Sequence, residues 1–158
     1  MYSNNEMDDF SQPGRRNSFG FEPSPANFIA PGKRPLSSIS PVIAEFADNS
    51  TVFFTTGAAG GSRIISATAQ TVFRVLEERS PMREAVARPR LHDQLMPATT
   101  LVEEGTDDGI FVSLRQKMHN VTWQAPGQSA VHAVMRLWNG TFDAVGETRQ
   151  VNSGGSVV

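Results

Sequence analysis

The 158-residue sequence contains no cysteine. That absence removes disulfide stapling, thiolate nucleophiles and thiolate metal sites together. Histidine is scarce: His92, His119 and His132 stand too far apart for a His-rich ligand cluster, so neither metal nor other cofactor is expected. A dominant charge sign is lacking too. Fourteen Lys and Arg against sixteen Asp and Glu leave a formal charge of −2, which argues against a nucleic-acid partner gripped by a basic field. No apolar run approaches the roughly 18 residues of a membrane-spanning helix. The opening MYSNNEMDDF is acidic rather than signal-like.

What is present divides at about residue 40. Residues 11–35 hold five Pro and three Gly, which sustain neither helix nor central strand. Yet Phe10, Phe19, Phe21, Phe28 and Ile29 are scattered through or beside them, so this stretch reads as an ordered, irregular loop lying on a core. From Ser40 the pattern is regular. SPVIAEF (40–46) and TVFFTT (51–56) read as a β-hairpin, and GAAGGS (57–62) breaks the second strand before a helix over 63–78. Ile65, Ala69, Val72 and Leu76 form its expected buried face. Ser80 should cap a short helix with Pro81 at its first position. A strand follows at TTLVEE, then a helix capped by Thr106 with the stripe Ile110, Phe111, Leu114 and Met118, then the strand NVTWQ. Two last β runs meet at Asn139-Gly140, with Val131, Ala133, Met135 and Leu137 on one side. Clustered antiparallel strands with grouped helices give a single-domain α+β chain over 1–158: an irregular region 1–39 and an αβ core 40–158.

Three segments carry chemistry, each with two readings. In NNEMDDFS (4–11), Glu6, Asp8 and Asp9 are either a solvated acidic terminus or a carboxylate pocket for a ligand ammonium. In PGKRPLSSISP (31–41), Ser37 and Ser38 are either turn hydroxyls or donors to a ligand oxygen. In TTGAAGGSRI (55–64), Gly60 and Gly61 form a plain strand-to-helix turn or a cup of backbone N–H groups for an oxyanion. A phosphate loop fits poorly, because neither Gly-rich phosphate spacing occurs.

Taken in this order, NNEMDDFS, PGKRPLSSISP, GAAGGSRI and ARPRLHDQ (87–94) resemble the small subunit of the γ-glutamyltransferases, the glutathione hydrolases, from about Asn4 to Gly155. The spelling SPANFIAPGKRPLSSISP is most similar to the fungal branch. The resemblance implies an N-terminal-nucleophile αββα sandwich, made by self-cleavage of a precursor into two subunits and needing no cofactor. It implies that Asp9 and Glu6 bind the α-amino group of a γ-glutamyl substrate such as glutathione. Ser37 and Ser38 would bind its α-carboxylate, and Gly60 and Gly61 would form the oxyanion hole. Arg63 and Arg90 are expected in structural pairs, with His92 a packed or surface histidine.

The family's nucleophile is a Thr in a Thr-Thr-His-type motif, with its own α-amine as base. No such motif occurs here: Thr55-Thr56 precedes Gly57, and Thr99-Thr100 precedes Leu101. The expected chain is therefore a partial sandwich lacking the nucleophile strands. Its partners would be the large subunit and the preceding part of the small subunit. Alone it should expose unpaired edges and associate or dissolve poorly. The alternatives are an inactive product that retains only glutamyl or glutamate binding, and an unrelated anion-binding α+β module. Three sequons, at Asn49, Asn120 and Asn139, permit glycosylation of a secreted protein. The chain is not expected to carry an address of its own; the resemblance implies an extracellular, vacuolar or membrane-anchored enzyme.

Overall fold

Each β-branched or aromatic run becomes a strand, and the alternation along it decides which side faces the helices. The computed structural model describes residues 6–157. Strands β1 (Val42–Glu45), β2 (Val52–Ala59), β6 (Ala130–Arg136) and β7 (Phe142–Val145) form an antiparallel sheet in the order β1-β2-β6-β7. Strand β2 outruns its sequence signal. Gly57, Ala58 and Ala59 stay in the ladder opposite His132, Val131 and Ala130, so the strand ends directly at Gly60.

Helices α1 (Arg63–Leu76) and α2 (Met82–Ala87) pack on one face of that sheet. Phe54, Val131, Ala133 and Val145 of the strands meet Ala67, Val75, Met82, Ala85 and Val86 of the helices in the core. Strands β3 (Leu91–His92), β4 (Thr100–Glu103) and β5 (Val121–Gln124) make a second sheet, and α3 (Asp108–Gln116) lies against β5. Phe111 of α3 stacks on Trp123 of β5 at 4.5 Å.

Four local expectations are corrected. The face of α1 formed by Ile65, Ala69, Val72 and Leu76 is not the buried one: Ile65 is 56% exposed, and Ala67, Thr68, Thr71, Arg74 and Val75 face inward. Periodicity locates an apolar face but not its neighbour. Here two of the inward polar residues find partners of their own, Thr71 on the Ala67 carbonyl and Arg74 on the carbonyls of Ala85, Arg88 and Pro89, while the Thr68 hydroxyl has none among the described residues. The apolar face instead lines an open groove of about 490 Å³ with Ser40, Pro41 and Val42. Second, Asp107 rather than Thr106 caps α3 by accepting from the Gly109 N–H, while the Thr106 hydroxyl turns back to the Glu103 carbonyl. Third, α2 begins one residue late, after Pro81, with no side-chain cap from Ser80. Finally, β4 and β5 are parallel, since α3 supplies the crossover such a pair requires.

A buried ion network joins the ends of α2, β4, β6 and the segment after β7. Within it Arg90 meets Glu147 at 2.8 Å, and Arg149 meets Glu103 at 2.5 Å and Glu147 at 2.8 Å. Burial opposes the Glu147 charge, but hydrogen bonds from Arg149 and from the N–H groups of Val131 and Arg149 outweigh it. The carboxyl is held below its usual range. Burial, with Arg88 and Arg90 nearby, lowers Arg74 to about 10. Residues 6–39 wrap this body as irregular chain, with short 3-10 turns at Glu6–Asp9 and Pro25–Asn27.

Candidate functional site

The strand-to-helix corner at 60–61 can be built only from glycine. Gly60 has φ +133°, and a Cβ there would lie 2.8 Å from the Gln128 carbonyl oxygen. Gly61 has φ +60°, and its Cβ would lie 2.0 Å from the Phe19 ring. Among the described residues no acceptor is found for the N–H of Gly60 or Gly61; their carbonyls accept from Arg63 and Ile64. These donors stand at the start of a 14-residue helix, where the aligned peptide dipoles favour negative charge.

Loop 17–21 is fixed against this corner. The Asn17 Oδ1 accepts from the N–H groups of Phe19 and Phe21, which places the Phe19 ring on Gly61 and Phe21 beside a cavity of about 460 Å³. Ser37, Ser38, Ser62, Ser66, His92 and Asp93 also line that cavity. The fold thus brings the serine pair and the residue after the glycine pair to one space. The two serines differ in what holds them. Ser37 Oγ accepts from the Ile39 N–H at 3.2 Å and keeps its own proton, whereas Ser38 Oγ has no hydrogen-bond partner among the described residues. Ser62 Oγ is buried and without a partner as well.

Asp9 is not among the lining residues of this cavity; it is exposed at the end of its 3-10 turn. The side chain of Glu6 lies outside the described residues. A residue with no obvious role in the sequence links Asp9 to the serines. Asn27 Nδ2 donates to the Asp9 carbonyl at 2.8 Å and to Ser11 Oγ at 3.3 Å, while its Oδ1 accepts from the Leu36 N–H at 2.9 Å, one residue before Ser37. Its sequence signal is slight: an amide side chain in a loop with no turn of its own to close.

His92 is a buried residue of the cavity lining. Gln94 Nε2 donates to the Phe19 and Met96 carbonyls, so its Oε1 must accept, and His92 Nε2 carries the proton that reaches it at 3.0 Å. His92 Nδ1 faces Ser66 Oγ at 2.8 Å. Asp93 adds negative charge, its carboxyl held below the ordinary value by hydrogen bonds from the Thr100 hydroxyl and the Leu95 N–H. Arg90 sits in its buried pair with Glu147, but the expectation for Arg63 fails. Among the described residues Arg63 makes no ion pair, and its buried Nε has no partner, because the turn before α1 offers no carboxylate. The Thr pairs are structural: Thr56 Oγ1 donates to the His132 carbonyl and Thr100 Oγ1 to Asp93.

Residues 1–157 match the sequence profile described as Gamma-glutamyltranspeptidase. The chain belongs to the gamma-glutamyltranspeptidase family. It is 54% identical over 155 residues to the glutathione hydrolase proenzyme of Arthroderma benhamiae, covering 98% of this chain and 26% of that protein. It is 42% identical over 155 residues to the glutathione hydrolase of Aspergillus flavus, with the same coverages. Among solved structures it is similar to the gamma-glutamyltranspeptidase from Pseudomonas nitroreducens complexed with L-DON. That match has 32% identity and a TM-score of 0.82, and covers 98% of this chain and 81% of that one. The fold is accordingly the α+β arrangement of the N-terminal-nucleophile hydrolases. This gamma-glutamyltranspeptidase chain spans about a quarter of the length of these curated relatives. Among the described residues no helix is long and apolar enough to cross a membrane.

Proposed function

We propose that this chain is the part of a glutathione hydrolase that holds the γ-glutamyl group of glutathione or a related compound while its amide is cleaved. Ser37 and Ser38 donate to the α-carboxylate, and Asp9 with Glu6 accepts from the α-ammonium. The N–H groups of Gly60 and Gly61 take the charge that develops on the γ-carbonyl oxygen. A Thr hydroxyl from the preceding part of the small subunit attacks that carbon. The amide nitrogen leaves with a proton, and water or an amino-acid or peptide amine then discharges the acyl-enzyme. The large subunit completes the pocket, and residues 1–39 act as its substrate-binding region.

One observation carries this reading: Ser37, Ser38 and Ser62 line a single cavity at the glycine corner. Its polarity supports it further. Its lining includes serine hydroxyls suited to a ligand carboxylate, while the Asp93 oxygens are already taken by the Leu95 N–H and the Thr100 hydroxyl. A hydrogen bond to a charged ligand contributes about 1.5–3 kcal/mol. In the complete protein, Ser38→Ala should therefore raise the KM for a chromogenic γ-glutamyl anilide roughly 10- to 150-fold. Unchanged KM in Ser37→Ala, Ser38→Ala and their double variant would remove the serines from the pocket.

A further inference from the structure

The three sequons are not equivalent in the folded chain. All three asparagines are exposed. Asn120 is engaged: its Nδ2 donates to the Ala98 carbonyl at 3.2 Å and to Thr99 Oγ1 at 3.0 Å, pinning the approach to β4 against the start of β5. Asn49 and Asn139 are arranged the other way. Asn49 Oδ1 accepts from the Thr51 N–H at 2.9 Å, and Asn139 Oδ1 accepts from both the Thr141 N–H at 3.0 Å and the Thr141 hydroxyl at 2.7 Å. In each the sequon's own Thr holds the amide oxygen, while Nδ2 has no partner among the described residues.

Their position strengthens the contrast. Asn49 lies in the turn between β1 and β2, and Asn139 in the turn between β6 and β7. Because Phe54 pairs with Met135, both turns stand at the Val52 and Arg136 end of the sheet. Gly60 follows the Ala59 and Ala130 pair at the opposite end of this eight-residue strand. At about 3.3 Å per residue, that is roughly 23 Å away. The same end bares apolar side chains, including Phe46, Val52, Leu137, Phe142 and Trp138, the last 98% exposed. Bulky polar groups on the two turns would shelter that patch without reaching the cavity.

We propose that Asn49 and Asn139 are N-glycosylated and that Asn120 is not. In the transfer, Nδ2 forms a C–N bond to the anomeric carbon of a lipid-pyrophosphate-linked oligosaccharide. The bond from that carbon to the phosphate oxygen breaks, the lipid pyrophosphate leaves, and the amide gives up one of its two protons. The substituted amide keeps one proton: at Asn49 and Asn139 this costs no hydrogen bond among the described residues, whereas at Asn120 it costs one of the two bonds to Ala98 and Thr99 that the fold uses.

The test is to secrete the complete protein from a yeast host, release N-glycans with peptide N-glycosidase in 18O-labelled water, and map the labelled aspartates by mass spectrometry. Label is expected at positions 49 and 139 with position 120 unlabelled. Asn49→Gln and Asn139→Gln should each remove one glycan's worth of mass, and Asn120→Gln none. Label at 120, or its absence from 49 or from 139, overturns the assignment at that site. The reading is taken on unmutated protein, so misfolding of a variant does not blur it.

Discussion

The ion network around the end of α2 meets its carboxylates, although Arg90 Nε is left without a partner among the described residues, whereas the cavity at the start of α1 leaves hydroxyls unmet. In the network every carboxylate is matched: Glu147, fully buried, meets two guanidiniums and two backbone N–H groups, and Glu103 meets Arg149 and the Arg90 N–H. The hydroxyls of Ser38 and Ser62, which line the cavity, and the N–H groups of Gly60 and Gly61, which adjoin Ser62 but do not themselves line it, have no partner among the described residues. A buried polar group left unmet calls for an explanation, and beside a cavity a ligand is one. On the proposed function, the network serves stability and the cavity serves binding.

The sharpest way to break this division is to remove Glu147. Glu147→Ala leaves Arg90 and Arg149 buried with too little compensating charge, and should destabilise the chain by about 3–5 kcal/mol in chemical denaturation. Acid should act through the same group. Its carboxyl lies below the ordinary 4.5 in the folded state, so its stabilisation is full above that value and is lost as pH falls through it towards the folded pKa. Glu147→Gln should flatten that acid limb of a stability-versus-pH curve.

Next in size is Gly61→Ala. Its Cβ cannot coexist with the Phe19 ring, and its positive φ is strained for any other residue. A stability loss of about 1–3 kcal/mol is expected. Alanine keeps the N–H, but the clash displaces the corner that aims it. Turnover in the complete protein should therefore fall further than stability explains, towards the roughly 100- to 1,000-fold seen when an oxyanion donor is lost. Equal kcat in variant and parent would move the oxyanion site elsewhere. Asn27→Ala should act more mildly, raising KM roughly 5- to 10-fold for about 1–1.5 kcal/mol with kcat little changed, because Asn27 spaces Asp9 from Leu36 without touching the reacting bond. The smallest effect should come from the exposed Arg16 and Glu22 pair: Glu22→Ala is expected to cost less than about 1 kcal/mol.

The same contrast explains what the sequence made legible. Local chemistry showed through. Alternating β-branched residues marked β1, β2, β6 and β7, and Asn139-Gly140 marked its hairpin. The glycine pair also announced a corner with free N–H groups. What depended on partners far along the chain did not. The apolar face of α1 was visible, but not that the sheet takes the side with Thr71 and Arg74, whose polar atoms are satisfied by carbonyls up to 15 residues away. The pairing of Arg149 with Glu103 spans 46 residues and has no local signature. Asn27 likewise reads as loop composition until Asp9 and Leu36 are placed on either side of it.

A crystal structure of the complete protein with bound glutamate tests the central claim most directly. The α-carboxylate is expected within about 3.2 Å of the Ser37 and Ser38 hydroxyls, and the γ-carboxylate oxygen at the N–H groups of Gly60 and Gly61. Glutamate seated away from the cavity, with those four groups unbound, would contradict it.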